Sequence, residues 1–246
     1  AAGVTVDATT RLTLDADQGI NAAGALTLFA REDADANNVF VMVLNNAFTS
    51  ATGAVTLNSV NGIQLNDTFN TNTANPNGSD TTTINTDTNG DGFGVLDDSG
   101  INTNGNPLII TANDFDPGVI NTGGNDITIL VPGDQTIGIG DNALIGLVDL
   151  FISNAELADI TADNLFIGND QTGAIRVNNV AEGDTDLIQR VKFEAKRVTF
   201  EGNDSTFFSN LEVDATLGIN IEVNLSASSA DVTSPNMILD GDSNDT

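Results

Sequence analysis

Oxygen-bearing side chains between residues 87 and 98 have the spacing of a calcium-binding loop. Asp87, Asn89 and Asp91 take the first, third and fifth positions of such a loop, and Asp98 takes the twelfth. Gly92 stands where the loop must turn sharply. Because densely packed oxygen ligands repel one another unless a cation lies among them, the spacing predicts calcium as a cofactor.

The same residues also fit a plain solvated turn, and the sequence leaves both interpretations open. The segment resembles the calcium loops of dockerin modules, which end in Asp rather than Glu. However, no helical pattern flanks it, whereas helices flank the loop of an EF-hand. A second polar segment, residues 121–126, resembles half of a calcium-binding nonapeptide repeat, but it occurs once, so we interpret it as a turn.

The residue types present limit the catalytic chemistry. The chain has no His and no Cys, which excludes ordinary zinc sites and His-based catalytic triads. A polysaccharide lyase or hydrolase, the enzyme alternative, would need clustered acids together with an Arg or Lys that neutralises charge. Arg176 is the only base between Arg31 and Arg190, and nearby acids such as Asp159 and Asp163 show no paired spacing. We therefore predict that the protein is not an enzyme.

The charge balance limits the partners. Thirty-five acids face seven bases, for a net charge of −28, which argues against nucleic acid and anionic lipid as partners. The negative charge favours a protein that stays soluble through charge repulsion, or a protein that binds divalent cations. The most apolar window, residues 143–152, contains Asp149 and is too short to span a bilayer.

Short apolar doublets, in which one residue separates two hydrophobic ones, indicate the elements that would carry any site in a loop. They recur about every ten residues, and Gly, Asn and Asp lie between them. This alternation predicts short strands with one face turned inward. The doublets of the central stretch are Ile137/Ile139, Val148/Leu150, Leu165/Ile167 and Ile175/Val177. Because strands this short do not build an ordinary sandwich, we expect a coil that lays each strand on the one before it.

The predicted fold is therefore all-β, a right-handed parallel β-helix. Residues 1–246 would form a single segment of about 9–11 coils, at about 20 residues a coil. Two polar stretches, residues 66–80 and 87–100, are predicted to leave the coil as loops.

Two segments predict departures from the regular coil. Ser153 and Glu156 form a capping-box pattern, so we expect one helical turn there. Residues 187–201 contain four of the seven bases, and apolar residues alternate with charged ones. We interpret this segment as two outer strands whose bases pair with nearby acids; docking on an acidic neighbour is the alternative.

The two ends of the chain resemble each other. Residues 12–21, LTLDADQGIN, match residues 211–220, LEVDATLGIN, at six of ten positions. Farther on, residues 33–37 match residues 240–244 in the same order. Self-similarity at a fixed period is typical of stacked architectures, so we predict slightly more than one repeat of about 200 residues from a longer array. Chance similarity within a vocabulary rich in Asp, Asn and Gly is the alternative.

The run SNAELADITADNLFIGNDQTGAIRV, residues 153–177, resembles a signature of the large filamentous-haemagglutinin-like exoproteins, which bacteria export by two-partner secretion. The matching segments begin at Ser153 (Ser-x-Ala-Glu-Leu), Ile160 (Ile-Thr-Ala), Ile167 (Ile-Gly-Asn) and Thr172 (Thr-Gly-x-Ile-x-Val). The resemblance implies a right-handed parallel β-helix and a role as a surface fibre or adhesin. It implies no catalytic residues.

Together these features predict a structural component of an extracellular or bacterial cell-surface fibre, with further copies of its own repeat as partners. The alternative is an adhesin module that binds carbohydrate or a host or neighbouring cell through its loops; it would expose Phe69 or Phe93 beside them. The N-terminal residues lack the basic and apolar regions of a signal peptide, so we expect the export signal to lie upstream.

Overall fold

The computed structural model describes residues 3–14, 20–31, 40–45, 49–51, 53–73, 75–90, 94–141, 144 and 146–239. These residues are mostly β-strand in parallel sheets, with little helix, which confirms the expected all-β class. The chain divides into two compact units, Ala1–Ile127 and Thr128–Thr246. We describe each unit separately.

The first unit is built from short strands of two to five residues. Its strands are β1 (Val4–Ala8), β2 (Leu12–Leu14), β3 (Ile20–Ala22), β4 (Leu26–Ala30), β5 (Met42–Leu44), β6 (Thr49–Ala51), β7 (Val55–Ser59), β8 (Ile63–Leu65), β9 (Phe69–Asn70), β10 (Thr82–Asn85), β11 (Val95–Asp98), β12 (Gly100–Asn102), β13 (Leu108–Thr111), β14 (Asp114–Asp116) and β15 (Val119–Asn121).

Paired strands of the first unit lie three places apart in the chain. One parallel sheet contains β1, β4, β7, β10 and β13, and a second contains β2, β5, β8, β11 and β14. Strand β3 pairs with β6, and β12 pairs with β9 and β15. Three consecutive strands therefore make one layer, which we call a rung, and each rung lies in register on its neighbour.

Alternation along each strand explains the core of this unit. Leu26 and Leu28 point inward and are completely buried, while Thr27 between them is partly exposed. Leu26 is in register with Val55 of the next rung, and Leu28 with Leu57. Stacking thus places aliphatic residues above aliphatic residues, and their burial supplies the main stabilisation.

Polar side chains close the corners between strands. Thr71, Thr103 and Asn106 are completely buried there. The Asn106 Nδ2 donates to the backbone carbonyls of Asn75 and Thr103 at 3.1 and 3.0 Å, and its Oδ1 accepts from the Asp80 N–H at 3.3 Å. These hydrogen bonds satisfy the amide of Asn106, which allows this corner to be buried.

The structure corrects the predicted loop excursions. Strand β9 lies inside the predicted loop 66–80, and strand β11 lies inside the predicted loop 87–100. The doublet pattern missed β9 because it has only one apolar residue, Phe69. It missed β11 because the second inward position after Leu96 is an acid, Asp98.

The second unit has longer strands, of up to 17 residues. Its elements are β16 (Ile127–Leu130, at whose start the unit boundary lies), β17 (Thr136–Gly140), β18 (Leu150–Ser153), α1 (Asn154–Ala158), β19 (Ile160–Gly168), β20 (Ala174–Asn178), a 3-10 turn (Glu182–Thr185), β21 (Ile188–Phe200), β22 (Ser205–Ile221), β23 (Leu225–Thr233) and β24 (Met237–Leu239).

In this unit a single long strand can take the place of two shorter strands. Strand β21 pairs in parallel with both β19 and β20, because its two halves cover the two shorter strands. Strand β22 pairs with β21 on one side and with β23 and β24 on the other. Here β21 alone, β22 alone, and β23 with β24 are successive rungs.

Aromatic rings fill the core between these long strands. The rings of Phe193 and Phe200 lie 6.3 Å apart, and those of Phe193 and Phe207 lie 5.8 Å apart in an edge-to-face arrangement. All three side chains are buried. Aromatic pairs of this geometry add stability beyond the area that they bury.

The structure tests two local predictions in the middle of the chain. The predicted helical turn is confirmed: Ser153 caps α1 and forms a reciprocal capping box with Glu156. The Val148/Leu150 doublet is wrong, because the strand begins at Leu150 and its inward pair is Leu150 and Ile152. A doublet cannot show which of three alternating apolar residues lie inside.

The basic segment 187–201 is also corrected. It forms one strand, β21, rather than two, and its apolar residues Val191, Phe193, Val198 and Phe200 are buried. The residues that face outward between them are mostly charged, so the segment is a core strand with a charged outer face.

Candidate functional site

The predicted calcium ligands fall partly within the described residues. Asp87 and Asn89 follow strand β10, and Asp91 lies outside the described residues. The Asp87 side chain is 5% exposed, and its Oδ1 accepts a hydrogen bond from the Gly90 N–H at 2.8 Å. The first part of the segment is therefore a tight turn closed by Asp87.

Asp98 lies at the far end of strand β11 from that turn. Gly94, which precedes β11, is packed against the Asp87 side chain. Four extended residues from Gly94 to Asp98 span about 13 Å, whereas ligands of one calcium ion lie about 2.4 Å from it. The structure therefore does not bring Asp98 to Asp87, and Asp98 turns to a different corner.

Asp98 occupies a position that leucine fills in the neighbouring rungs. Leu14, Leu44, Leu65 and Asp98 form one column of the second sheet. The Asp98 Oδ1 accepts a hydrogen bond from the Gly118 N–H at 3.1 Å, and its Oδ2 is buried without a hydrogen-bond partner. A carboxyl group therefore faces the interior of the stack.

The interior position changes the ionisation of this carboxyl. Burial raises the pKa of Asp98 to about 7, although backbone hydrogen bonds from Gly118 and Gly100 oppose the change. The charges of Asp97 and Asp116 raise the pKa further. Near neutral pH a substantial share of Asp98 is therefore protonated in the folded protein.

No group of three or more acids in the described residues is arranged to hold a metal ion. Since Asp91 is outside that part of the chain, the calcium loop stays a prediction. Within the same residues no helix is long and apolar enough to cross a membrane.

Three of the four bases of strand β21 form ion pairs within the unit. The Lys192 Nζ lies 2.7 Å from Glu212 and 2.6 Å from Asp214. Arg190 also reaches Glu212, at 3.3 Å, and Lys196 lies 2.9 Å from Asp134. The segment is thus an ion-paired outer face, as expected when its bases serve the fold.

These contacts also perturb Lys192. Burial lowers the pKa of Lys192, but its hydrogen bonds to Asp214 and Glu212 and their charges raise it by more. The pKa of Lys192 therefore lies above its ordinary value, and the ammonium stays charged.

An open depression of about 340 Å³ lies beside the start of α1. Asp141, Ser153 and Asn154 line it. The Asn154 Nδ2 donates to the Asn179 carbonyl at 2.8 Å, and the Asn179 Nδ2 donates to Asp141 at 3.2 Å. Two side-chain hydrogen bonds therefore tie this corner together, while the Asn154 Oδ1 is buried without a hydrogen-bond partner.

The last rung, β23 with β24, has inward positions that are not covered. Register identifies them, because Ala230 and Val232 lie on Leu211 and Val213, and Met237 lies on Ile219. Leu211, Val213 and Ile219 are buried. Met237 is 44% exposed and Leu239 is 71% exposed. Among the described residues, this rung therefore has apolar side chains exposed at inward positions.

The first rung of the first unit has the same character. Strand β1 pairs with β4, and β2 pairs with β5, and no other pairing of β1 or β2 is given by the register of the described strands. The inward residues of this rung are partly exposed, namely Val4, Val6, Leu12 and Leu14. Their register partners in the next rung are buried: Leu26, Leu28, Met42 and Leu44.

Sequence reasoning missed the residues of the last rung. The alternation of apolar and polar residues is weak in this rung. Ala227 and Ala230 are small, and the outward Ile238 is as apolar as the inward residues beside it. The three consecutive apolar residues Met237–Leu239 are the signal that could have predicted a strand here. By contrast, Phe69, which an adhesive loop was expected to expose, is 1% exposed, and Phe93 lies outside the described residues.

Comparisons with protein-family models, with curated proteins and with solved structures found no match. The function must therefore be argued from the geometry of the chain itself.

Proposed function

We propose that this chain is a non-catalytic structural segment of an extracellular or cell-surface fibre, folded as a right-handed parallel β-helix. The observation that carries the proposal is the pairing of strands three places apart, in register, through five rungs of the described first unit. A chain that advances by one rung every three strands is a coil. The right-handed sense follows from the general preference of parallel crossovers.

Stacked rungs suit a fibre because each rung contacts only its neighbours. Such a stack grows in one direction without changing its core, and its stability rises with the number of interfaces. The partners in this proposal are further copies of the repeat, either in one longer chain or in separate subunits. The similarity of residues 12–21 to residues 211–220 supports the repeat, since Leu12–Leu14 and Leu211–Val213 are both in strands.

The non-catalytic role rests on the bases. Arg176 is the base that a lyase or hydrolase site in the middle of the chain would use, and its Nε lies 2.5 Å from Glu201 in an ion pair. The resemblance to exported exoproteins supports a location outside the cell. Protease treatment of intact cells tests that location: the chain should be digested without lysis, and protection would contradict it.

Calcium remains the proposed cofactor of the turn that begins at Asp87, with Asn89 and Asp91 as the other side-chain ligands. Calorimetric titration with calcium should show binding that Asp91→Asn weakens. Asp98→Asn decides whether Asp98 takes part, and the geometry predicts that it does not. If the titration shows no heat of calcium binding, the protein has no calcium cofactor at this turn.

Fibre diffraction and electron microscopy of the protein isolated from its cells test the structural role. We expect thin continuous fibres. Their diffraction should show a reflection at about 4.8 Å along the fibre axis, the spacing between neighbouring strands, because the strands lie across that axis. Isolated particles without that axial spacing would contradict the proposal. An adhesin that binds through its loops is the weaker candidate, because Phe69 is buried.

A further inference from the structure

The corner between β10 and β11 is longer than the same corner of the rung before it. Asn85 is in register with Asn58, and Leu96 is in register with Ile63. Ten residues lie between Asn85 and Leu96, whereas four lie between Asn58 and Ile63. The longer segment contains the turn that begins at Asp87. This rung therefore presents a different corner to its neighbours.

The residue that enters β11 from this corner has no side chain. The register of β8, β11 and β14 extends back into the corner, where it gives one column: Asn61, Gly94 and Asn113. The Asn113 N–H donates to the Gly94 carbonyl at 2.7 Å, which joins two members of this column directly. The middle position, at Gly94, thus leaves room for another group.

The side chain of Asp87 takes that room. A Cβ on Gly94 would overlap both the Asp87 Cβ and the Thr86 carbonyl oxygen, so these two groups occupy the middle position of the column. Asp87 is 5% exposed, which places its carboxylate inside the corner. A carboxylate has about four acceptor positions, so the hydrogen bond from the Gly90 N–H leaves others for a cation.

Asn113, the next member of the column, carries a buried amide without a partner. Asn113 is 6% exposed, and neither its Oδ1 nor its Nδ2 has a hydrogen-bond partner. An unpaired buried amide costs free energy, and buried polar groups of native proteins generally have partners. Because the Asp87 side chain occupies the adjacent position of the column, the amide indicates a polar ligand between these two side chains.

We propose that Asp87 and Asn113 hold a calcium ion between their two rungs. The inference rests on the proposed calcium cofactor and deepens it, because it assigns a ligand from the next rung where the sequence had suggested Asp98. The spacing of the rungs fits the ion. Neighbouring strands lie about 4.8 Å apart, and calcium lies about 2.4 Å from each oxygen ligand, so an ion midway between two stacked oxygens meets both distances.

The ligand types favour calcium. The Asp87 carboxylate, the Asn113 Oδ1 and the Thr86 carbonyl are hard oxygens, and water completes the coordination shell of calcium in flexible geometry. Magnesium needs a near-ideal octahedron and loses its water reluctantly, which suits a space between stacked rungs less well. Because these ligands carry one full charge in total, we expect a dissociation constant of about 10⁻⁴–10⁻³ M.

Binding at this site should stabilise the fold. The two side chains come from different rungs, so they meet only in the folded stack, and calcium binds the folded state in preference to the unfolded chain. At about 10 mM calcium the melting temperature of the wild type should therefore rise by about 4 °C. Magnesium at the same concentration is the control for screening of the net charge of −28.

Asn113→Ala tests the ligand in the full chain. Calorimetric titration should show a calcium affinity at least about tenfold lower than that of the wild type, since even the loss of an outer-shell partner costs that much. Without calcium the melting temperature should not fall, because the substitution removes a buried amide that has no partner. A residue that only shapes the corner would instead lower the melting temperature without calcium.

Asn113→Asp tests the same position in the opposite direction. A second carboxylate beside Asp87 should lower the melting temperature without calcium through repulsion, and should raise the calcium affinity by about tenfold. Asn121→Asp is the matched control, because it makes the same change at an exposed corner whose oxygen accepts from the Gly123 N–H. Its calcium affinity should equal that of the wild type. Circular dichroism verifies that each variant is folded.

Three outcomes would overturn the inference. If both Asn113 variants bind calcium like the wild type, the ion takes no ligand there; the calcium cofactor itself then stands as long as Asp91→Asn weakens binding. Equal melting shifts with magnesium and calcium would show screening without a site. A wild type without calcium heat would show that water fills the space, and the cofactor would fail as well. The fibre is tested separately, by diffraction.

Discussion

The two units solve the same packing problem in different ways. The first unit uses strands of two to five residues and closes its corners with buried Thr and Asn, whereas the second uses strands of up to 17 residues and packs three phenylalanine rings between them. Short strands create many corners, and every corner carries polar backbone groups that need partners. Long strands create fewer corners, so apolar packing carries more of the stability.

A second contrast concerns charge. The first unit holds a carboxyl group inside its stack at Asp98, and the second places its charges on the outer face around Lys192. An interior carboxyl is costly when ionised, whereas outward ion pairs cost little. Four substitutions separate these contributions, from the largest expected effect to the smallest.

Phe193→Ala should have the largest effect, because it empties the aromatic centre of the second unit. Phe193 contacts the rings of Phe200 and Phe207 and is completely buried. We expect a loss of about 3–5 kcal/mol in the free energy of unfolding, measured by urea denaturation. Phe208→Ala is the control: Phe208 lies in the same strand as Phe207 but is half exposed, so its loss should be below about 1 kcal/mol. Equal losses would refute the aromatic centre.

Asn106→Ala should weaken the first unit through a polar corner. Its amide bonds the backbone of Asn75, Thr103 and Asp80. Alanine leaves these groups buried without partners, so we expect a loss of about 2–3 kcal/mol in urea denaturation. Asn70→Ala, at an exposed amide, should cost below about 1 kcal/mol. A small loss at Asn106 would mean that water replaces the amide. The polar corners would then contribute little to the stability of the first unit.

Asp98→Asn should stabilise the first unit above neutral pH. The pKa of Asp98 is about 7 in the folded protein and 3.8 when unperturbed, so the folded state holds its proton more tightly and stability falls as pH rises from about 4 to about 7. Asparagine removes this loss, but its Nδ2 takes the place of an oxygen that has no partner. We expect a net gain of about 1–3 kcal/mol at pH 8 and little gain at pH 4.5.

Urea denaturation at several pH values measures this effect. Asp97→Asn is the matched control, since it removes a neighbouring acid whose carboxylate accepts a hydrogen bond from Gln64. Its pH dependence should keep the form of the wild type's, moved slightly to lower pH, because the Asp97 charge adds to the rise in the pKa of Asp98. A gain for Asp98→Asn that is the same at every pH would show that the carboxyl is not the titrating group.

Lys192→Met should have the smallest effect and should test the charged outer face of the second unit. It removes the cation of Asp214 and one of the two cations of Glu212, which keeps Arg190. We therefore expect a loss of about 1 kcal/mol at low salt that shrinks at high salt. Thermal melting at two salt concentrations measures it. Arg31→Met, which breaks the exposed pair with Asp7, should change stability less. A salt-independent loss would point to packing of the lysine stem.

Local signals predicted some elements well. The capping box at Ser153 and Glu156 predicted α1, and the doublets Ile137/Ile139 and Ile175/Val177 predicted strands that the structure contains. The doublets failed where an inward position is not apolar, as at Asp98. They also failed where one strand covers two shorter ones, as β21 does.

The candidate sites were harder to predict. The calcium spacing placed Asp87 and Asp98 in one loop, because sequence spacing cannot show that strand β11 separates them. The exposed row of the last rung follows from its position after β22, so Val232 and Val213 differ in burial although their types are the same.

The sequence by itself determined the strand alternation, the polar turns and the capped helix, since each depends on residues within about ten positions of one another. Only the tertiary structure decided which strands pair, that Asp98 faces inward and that β21 covers both β19 and β20. Those properties depend on which residues lie above and below each rung, and residues far apart in the chain supply them.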